Sequence, residues 1–246
     1  MAQSDTTPAR FGLPILDAAF GGGIPRGSVI LIEDEIGVQA DLITLHFLTE
    51  GLRAGETGYV MSTEHPFKFY MDNLRALGVN AEILLETERM VFIDAFSNPY
   101  GYSDLRSPFK NVVENITQPR AVSESIRRAM LHTQTQKIQC RGIVDSLSSI
   151  LLAAETLRPA LSFVQNRIAT NKEDNTVTLM TLHKDIHKEH DIKAIEHLVD
   201  GVVRVSVGDE TFSTIKIIKM RGNYTFSKKP MAMTVSAGQL SIMEYQ

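Results

Sequence analysis

The sequence is poor in several features that mark whole classes of protein. Its 246 residues include one cysteine, Cys140, and no tryptophan. A single cysteine excludes an internal disulfide framework and fits a reducing compartment. No apolar run approaches the roughly 18 residues that a membrane span needs, and the N-terminal residues MAQSDTTPAR lack the apolar core of a signal peptide. The sequence therefore predicts a cytoplasmic chain with no membrane insertion.

The charge balance and the length restrict the class further. The formal net charge is −4, so no overall basic field would draw the chain onto nucleic acid, and a nucleic-acid partner is disfavoured. Hydrophobic residues make up 43% of the chain, which is ordinary for a globular protein. We expect a disordered N-terminal tail over residues 1–10 and a single domain over residues 11–246.

Short apolar runs alternate with longer segments of helical period. This alternation predicts an α/β fold with a mostly parallel central sheet flanked by helices. The predicted strands are Val29–Ile32, Gly58–Met61, Met90–Ile93, Gly142–Val144, Val177–Leu182 and Gly201–Val207. The predicted helices are Gln39–Arg53, Pro66–Leu77, Ser123–Thr135, Ala153–Thr170 and Ile192–Leu198. Three further strands, added antiparallel at one end of the sheet, are predicted at Thr214–Met220, Met231–Val235 and Leu240–Met243.

One long irregular segment interrupts this pattern. Residues Phe96–Arg120 contain three prolines and little regular period, which predicts a long loop. Tyr100, Tyr102 and Phe109 could anchor a protein partner there, because aromatic side chains dominate many interfaces.

The turn after the first predicted strand has the frame of a phosphate-binding loop but not its residues. In the pattern GxxxxGK[ST], backbone N–H groups wrap a triphosphate and the lysine reaches its outer phosphates. Here Asp34 and Gln39 replace the two glycines, Ala40 replaces the lysine and Asp41 replaces the hydroxyl residue. The loop thus presents carboxylates where the ligand would bring anions.

Several segments, in order, resemble one family over roughly residues 11–243. They are Gly12–Asp17, Gly21–Ser28, Arg141–Ser148, Glu196–Val203 and Lys219–Gly222. Together they resemble the KaiC-like members of the RecA superfamily. The phosphate loop of that family is matched only at Gly37.

The resemblance implies a six-membered ring that holds ATP at each subunit junction. Asp145 matches the magnesium-facing Walker B aspartate. The acidic pair after the second strand is half present, with Thr63 at its first position and Glu64 at its second. Lys219 and Arg221 match the pair that acts on the nucleotide of a neighbouring subunit.

Electrostatics argue against ordinary nucleotide chemistry at this loop. Like unit charges about 5 Å apart repel by about 3 kcal/mol at an effective dielectric of about 20, which weakens binding roughly a hundredfold. We therefore expect no cofactor and a catalytically inactive RecA/KaiC-like scaffold or regulatory subunit. It would assemble with itself or with an ATPase-competent paralogue, and Lys219 and Arg221 would meet the acidic loop of the neighbouring subunit.

Two alternatives stay open from the sequence. The first is an ATP- and magnesium-dependent KaiC-like ATPase in signalling or DNA recombination and repair, with a non-standard phosphate loop. The second is a RecA-like accessory protein that binds single-stranded nucleic acid, which the net charge disfavours.

The remaining candidate groups favour structural roles. His183, His187, His190 and His197 could share a metal, but the interleaved charged residues favour a solvated connection and no metal. Asp145 is expected to cap the turn at residues 146–148. Ser28 and the serines at 146–149 show no base partner in the sequence, so nucleophilic catalysis is not predicted.

Overall fold

The computed structural model describes residues 7–100, 111–113, 115–135, 138–209, 211–223, 225–236 and 238–245. A nine-stranded sheet in the order β3-β2-β4-β5-β1-β6-β7-β8-β9 forms its centre. The strands are β1 (Val29–Asp34), β2 (Thr57–Ser62), β3 (Met90–Asp94), β4 (Cys140–Asp145), β5 (Val177–His183), β6 (Gly201–Asp209), β7 (Phe212–Met220), β8 (Met231–Ser236) and β9 (Gln239–Glu244).

The first six strands pair in parallel, and the last three add antiparallel at one end. This arrangement confirms the predicted α/β fold class. Every predicted strand is present, within a residue or two at each end. Short apolar runs identify these strands well because parallel strands covered on both faces must be apolar along their whole length.

The helices lie between the strands. They are α1 (Pro14–Ala19), α2 (Asp41–Arg53), α3 (Phe67–Ala76), α4 (Ala81–Glu86), α5 (Pro119–Thr135), α6 (Leu147–Ala153), α7 (Leu157–Asp174) and α8 (Glu189–Leu198). The single helix predicted at Ala153–Thr170 is instead the end of α6 and most of α7. Pro159 explains where α7 begins, because proline lacks an N–H and is tolerated only in the first turn of a helix.

The core lies on both faces of the sheet. Alternate residues of β1 point to opposite sides. Val29 and Leu31 pack with the cluster that includes Phe163 of α7, whereas Ile30 and Ile32 pack with Phe47 of α2. All six residues of β1 are buried, so its last two, Glu33 and Asp34, must satisfy their carboxylates inside the protein.

The N-terminal boundary needs a correction. Residues 1–6 lie outside the described residues, but Ala9, inside the predicted tail, is fully buried and pairs with Ile24. Asp17 fixes the next turn, since its carboxylate accepts hydrogen bonds from the N–H groups of Phe11 (2.6 Å) and Gly12 (3.2 Å). The ordered chain therefore begins before residue 11.

The predicted Phe96–Arg120 loop is only partly a loop. Helix α5 begins at Pro119, and the side chains of Val113 and Ile116 are buried in the core. Tyr102 and Phe109 lie outside the described residues, whereas the Tyr100 side chain is 45% exposed. Among the described residues, no helix is both long enough and apolar enough to cross a membrane.

Candidate functional site

Four titratable side chains meet where neighbouring strands end. Asp34 ends β1, Asp145 ends β4, His183 ends β5, and Glu64 follows β2 by two residues. Asp34 is in register with His183, and Ser62 is in register with Asp145. The carboxyl ends of parallel strands are where α/β folds place functional groups. We call this region the carboxyl-end cleft.

His183 bridges two carboxylates in the carboxyl-end cleft. Its Nδ1 lies 2.7 Å from Asp34 Oδ1, and its Nε2 lies 3.0 Å from Glu64 Oε2. Hydrogen bonds to Asp34 and then to Glu64 outweigh the effect of burial and raise the pKa of His183 to about 10. The ring is therefore an imidazolium at neutral pH, and both of its nitrogens donate.

Glu64 accepts more hydrogen bonds than this one. The hydroxyls of Ser146 (2.5 Å) and Ser149 (3.0 Å) both donate to its Oε1. Burial pushes the pKa of Glu64 upward, but the hydrogen bonds from His183 and Ser146 outweigh it and lower that pKa to about 2. Burial also raises the pKa of Asp34, and His183 opposes this rise. Glu64 is thus held as a carboxylate by internal donors.

Asp145 does not cap the following turn, contrary to the prediction. Its Oδ2 accepts a hydrogen bond from the hydroxyl of Tyr70 (2.5 Å), and its Oδ1 accepts one from Thr181 (2.8 Å). Burial, followed by the charge of Asp145, raises the pKa of Tyr70 well above its usual value. Tyr70 therefore stays a neutral donor, and both oxygens of Asp145 are occupied from within the chain.

The loop between β1 and α2 carries the remaining predicted positions. Asp41 is the first residue of α2, and burial followed by nearby Asp145 raises its pKa. Ala40 is buried, whereas Gln39 and Gly37 are exposed. Gly37 adopts φ +94°, a backbone conformation that side-chain-bearing residues rarely adopt. The structure brings Asp34, Asp41, Glu64 and Asp145 into one region.

The segment after β5 packs against this loop. The Nζ of Lys184 lies 2.6 Å from Glu35 Oε1, and Asp185 Oδ2 accepts a hydrogen bond from the N–H of Ile36 (3.1 Å). The expectation of a solvated histidine connection is therefore wrong for His183, although His190 is exposed as expected. Among the described residues, no group of three or more His, Cys, Asp or Glu side chains has the geometry to hold a metal.

Ser148 has a histidine partner that the sequence did not reveal. Its Oγ accepts a hydrogen bond from the N–H of His183 (2.9 Å) and lies 2.8 Å from His187 Nε2. Burial, and then the charge of His183, lower the pKa of His187. The Ser148 side chain is nevertheless fully buried, so it cannot reach a substrate. This pair joins α6 to the segment after β5.

The two cations predicted for the neighbouring subunit lie at the end of α8. Lys219 Nζ donates to the backbone oxygens of Glu196 (2.6 Å), His197 (3.0 Å) and Val199 (2.6 Å). Arg221 donates to the oxygen of Leu198 (3.0 Å). Cations in this position satisfy the free carbonyl groups of a helix C-terminus. Burial and then Arg221 lower the pKa of Lys219 to about 8.

Lys219 and Arg221 also line an open groove of about 320 Å³. Its other lining residues are Lys193, Glu196, His197, Val202 and Ile218. The groove is therefore mostly basic around its rim and apolar at Val202 and Ile218.

Two buried ion clusters escaped sequence reasoning. Glu33, just before the loop motif, shares Arg204 with Glu196, with an Arg204 Nη2 distance of 2.8 Å to each carboxylate. Arg141, in the segment Arg141–Ser148, forms a bidentate ion pair with Glu56, with both hydrogen bonds 2.8 Å long. Glu56 pairs with Arg26 as well. The partners are distant in sequence, so only the fold brings them together.

Comparison with known proteins identifies the family. A family model described as "ATPase: KaiC" matches residues 9–246. The chain belongs to the KaiC ATPase family. This confirms the resemblance to KaiC-like members of the RecA superfamily.

Curated relatives are similar at a low level of identity. A UPF0273 protein of Thermotoga maritima is 25% identical over 228 residues, which cover 91% of each chain. The circadian clock protein KaiC3 of Synechocystis is 25% identical over 86% of this chain, but the match spans only 40% of that longer protein. A solved structure, a KaiC-like protein of Pyrococcus horikoshii, superposes with a TM-score of 0.72 over 97% of this chain and 100% of its own, at 18% identity. That likeness shows the fold alone.

Proposed function

We propose that this chain is a catalytically inactive KaiC-family domain that acts as a scaffold or regulatory subunit through assembly with itself or with an ATPase-competent paralogue. The observation that carries the proposal is His183, whose imidazolium lies between the carboxylates of Asp34 and Glu64. The protein's own cation satisfies the carboxylates that stand at the motif positions of a nucleotide site.

The charges of the carboxyl-end cleft support this proposal. The imidazolium of His183 offsets part of the repulsion that Asp34 would exert on an anion, so our sequence-based estimate for that residue is too large. Burial raises the pKa of Asp41 more than nearby His65 lowers it, and Ala40 supplies no charge in place of a lysine. Each uncompensated carboxylate about 5 Å from a phosphate would still cost about 3 kcal/mol.

The magnesium position is similarly unsuited to its usual task. A carboxylate that serves magnesium must offer an oxygen lone pair to the ion or its water. Each oxygen of Asp145 already accepts one hydrogen bond, from Tyr70 or Thr181, so each has one lone pair left to offer. The side chain aligned with the usual hydroxyl ligand is Asp41. These contacts favour a degenerate phosphate loop.

Assembly is the role that the rest of the chain supports best. We propose that Lys219 and Arg221, at the rim of the basic groove, contact the acidic loop of a neighbouring subunit. A contact between two different surfaces of the same chain is head-to-tail, which produces closed rings or open filaments. Joining a paralogue's ring would place the same two cations beside that paralogue's nucleotide.

The test combines turnover with mass in solution. We expect no Mg·ATP hydrolysis above the buffer rate and an oligomer whose mass, measured by light scattering, does not change when Mg·ATP is added. The Asp145→Asn variant is the matched control, because any genuine turnover must fall in it, whereas a contaminating ATPase would be unaffected. Turnover that is lost in Asp145→Asn would contradict the proposal.

An active ATPase with a non-standard loop is the second candidate. The observation that favours it is the position of Glu64 and Asp145, which still stand together at the ends of β2 and β4. It predicts magnesium-dependent ATP binding and turnover that falls in both Glu64→Gln and Asp145→Asn. Our proposal predicts that neither variant changes the negligible rate.

A further inference from the structure

We propose that residues 183–187, which we call the strap, hold the β1–α2 loop closed by taking over the contacts that a bound anion and its cation make at such loops. This role of the strap does not depend on whether the chain hydrolyses ATP. The strap makes many polar contacts for so short a segment.

The strap contacts the loop at consecutive positions. His183 bonds to Asp34, Lys184 pairs with Glu35, and Asp185 accepts the N–H of Ile36. Three successive residues of one segment thus bind three successive residues of the other. Such a run of pairings fixes the direction of the chain as it leaves β1.

The contact with Asp185 resembles anion binding most closely. Backbone N–H groups at the start of a helix or in the loop before it commonly bind phosphate or carboxylate oxygens. The N–H of Ile36 donates to Asp185 Oδ2 over 3.1 Å. A carboxylate from the strap therefore occupies the acceptor position that a ligand oxygen takes at such loops.

The strap itself is anchored at both ends. His183 is the last residue of β5, which pairs with β1 along its length, and His183 also reaches Glu64 beyond β2. At the other end, the His187 ring lies against Ser148 at the start of α6. A segment fixed at two rigid elements can restrain the loop between them.

The loop needs such a restraint. Ile36, Gly37 and Gln39 are exposed, and the Ile36 side chain is 72% exposed, so little apolar burial holds these residues. A Cβ at Gly37 would meet nothing within 4 Å. Segments with few buried contacts open locally at low cost in free energy. The polar contacts of the strap oppose that opening, together with the two hydrogen bonds that join Glu35 to Val205 and Val207 of β6.

Amide hydrogen exchange of the full-length protein, without nucleotide, tests the strap. The variants are Asp185→Ala and Lys184→Gln, both of which alter half-exposed or exposed side chains and should leave folding intact. The matched control is His190→Gln, at a neighbouring exposed histidine whose Nδ1 lies 3.4 Å from Asp191 Oδ1. We expect exchange at residues 36–41 to rise about tenfold in the strap variants, since a hydrogen bond to a charged group contributes about 1.5 kcal/mol. The control should match the wild type.

Amides of β2 and β4 serve as the internal reference. Their exchange should stay unchanged in every variant. The proposal is overturned if residues 36–41 exchange at the wild-type rate in both strap variants. It is equally overturned if β2 and β4 accelerate by the same factor, because the variants would then have lowered global stability only.

Discussion

The phenol oxygen of Tyr70 lies 2.5 Å from Oδ2 of Asp145, and both side chains are buried. The pair joins α3 to the end of β4 at the position where the family resemblance places a magnesium-facing aspartate. This relationship leads to the first prediction.

Tyr70→Phe should lower stability without creating activity. Phenylalanine keeps the volume of the buried ring but leaves Oδ2 of Asp145 without its donor. Loss of a buried hydrogen bond to a charged group costs about 1.5–3 kcal/mol. The free energy of unfolding in urea measures the change. Tyr100→Phe is the control, since Tyr100 is partly exposed, and an equal loss in both variants would contradict the role assigned to Tyr70.

The His183 bridge predicts a stability profile with two limbs. Because the folded pKa of His183 is raised to about 10 from 6.5, its contribution is complete below about pH 6.5 and is lost as pH rises through 10. Because the folded pKa of Glu64 is lowered to about 2 from 4.5, its contribution is complete above about pH 4.5 and is lost as pH falls through 2. Groups that face or neighbour His183 and also affect the profile are Asp34, Asp41, Glu64, Asp145 and His187.

His183→Gln should flatten the alkaline limb of that profile. The His183 side chain is 33% exposed, so solvent screening reduces the effect, and we expect a loss of about 2 kcal/mol at pH 7. The loss should shrink as pH approaches 10. Unfolding measured at pH 6, 8 and 10 checks this, with His190→Gln as the control. A loss that is constant across these pH values would show that His183 acts without its charge.

Glu33 gives a pH dependence opposite to that of Glu64. Burial first, and then neighbouring Glu196, raise the pKa of Glu33 to about 7 from 4.5, although Arg204 opposes the rise. Its Oε1 has no hydrogen-bond partner among the described residues. The folded state therefore holds a proton that the unfolded state releases, so stability falls as pH rises from about 4.5 to 7.

Glu33→Gln should remove this dependence. The free energy of unfolding of the variant minus that of the wild type should therefore rise by about 1–2 kcal/mol from pH 5 to pH 8. Chemical denaturation of both proteins at pH 5 and at pH 8 measures this change. A variant that is equally affected at both would show that Glu33 stays ionised throughout.

The groove at the end of α8 predicts a charge-dependent assembly. Lys219→Glu combined with Arg221→Glu should dissociate the oligomer or make its mass depend strongly on salt. Lys216→Glu is the matched control, because Lys216 lies on the same strand but is exposed. Since the pKa of Lys219 is lowered to about 8, the contact should weaken above that pH. An unchanged mass in the double variant, by light scattering, would remove these residues from the interface.

The strands of the sheet could be predicted from sequence far better than the site. Apolar runs such as Val177–Leu182 mark strands covered on both faces. The break between α6 and α7 was missed because residues on both sides of Ala154–Thr156 continue an apolar pattern. His183 was missed because Lys184, Asp185 and Lys188 are typical of a solvated surface, whereas Lys184 and Asp185 contact Glu35 and Ile36 just after β1.

The pairing of Asp34, Glu64 and His183 could not be derived from sequence for a further reason. His183 is 149 positions from Asp34 and 119 positions from Glu64 in the sequence. Only the parallel arrangement of β1, β2 and β5 brings the three residues together. We propose that His183 supplies the positive charge that the missing lysine would bring to this region.

Calorimetric titration with Mg·ATP, on protein of known mass in solution, tests the central claim most directly. The account predicts no saturable heat up to about 1 mM nucleotide, which corresponds to a binding free energy weaker than about −4 kcal/mol. Saturable binding at micromolar nucleotide that disappears in Asp145→Asn would contradict it, because the carboxyl-end cleft would then accept the anion that its carboxylates are proposed to exclude.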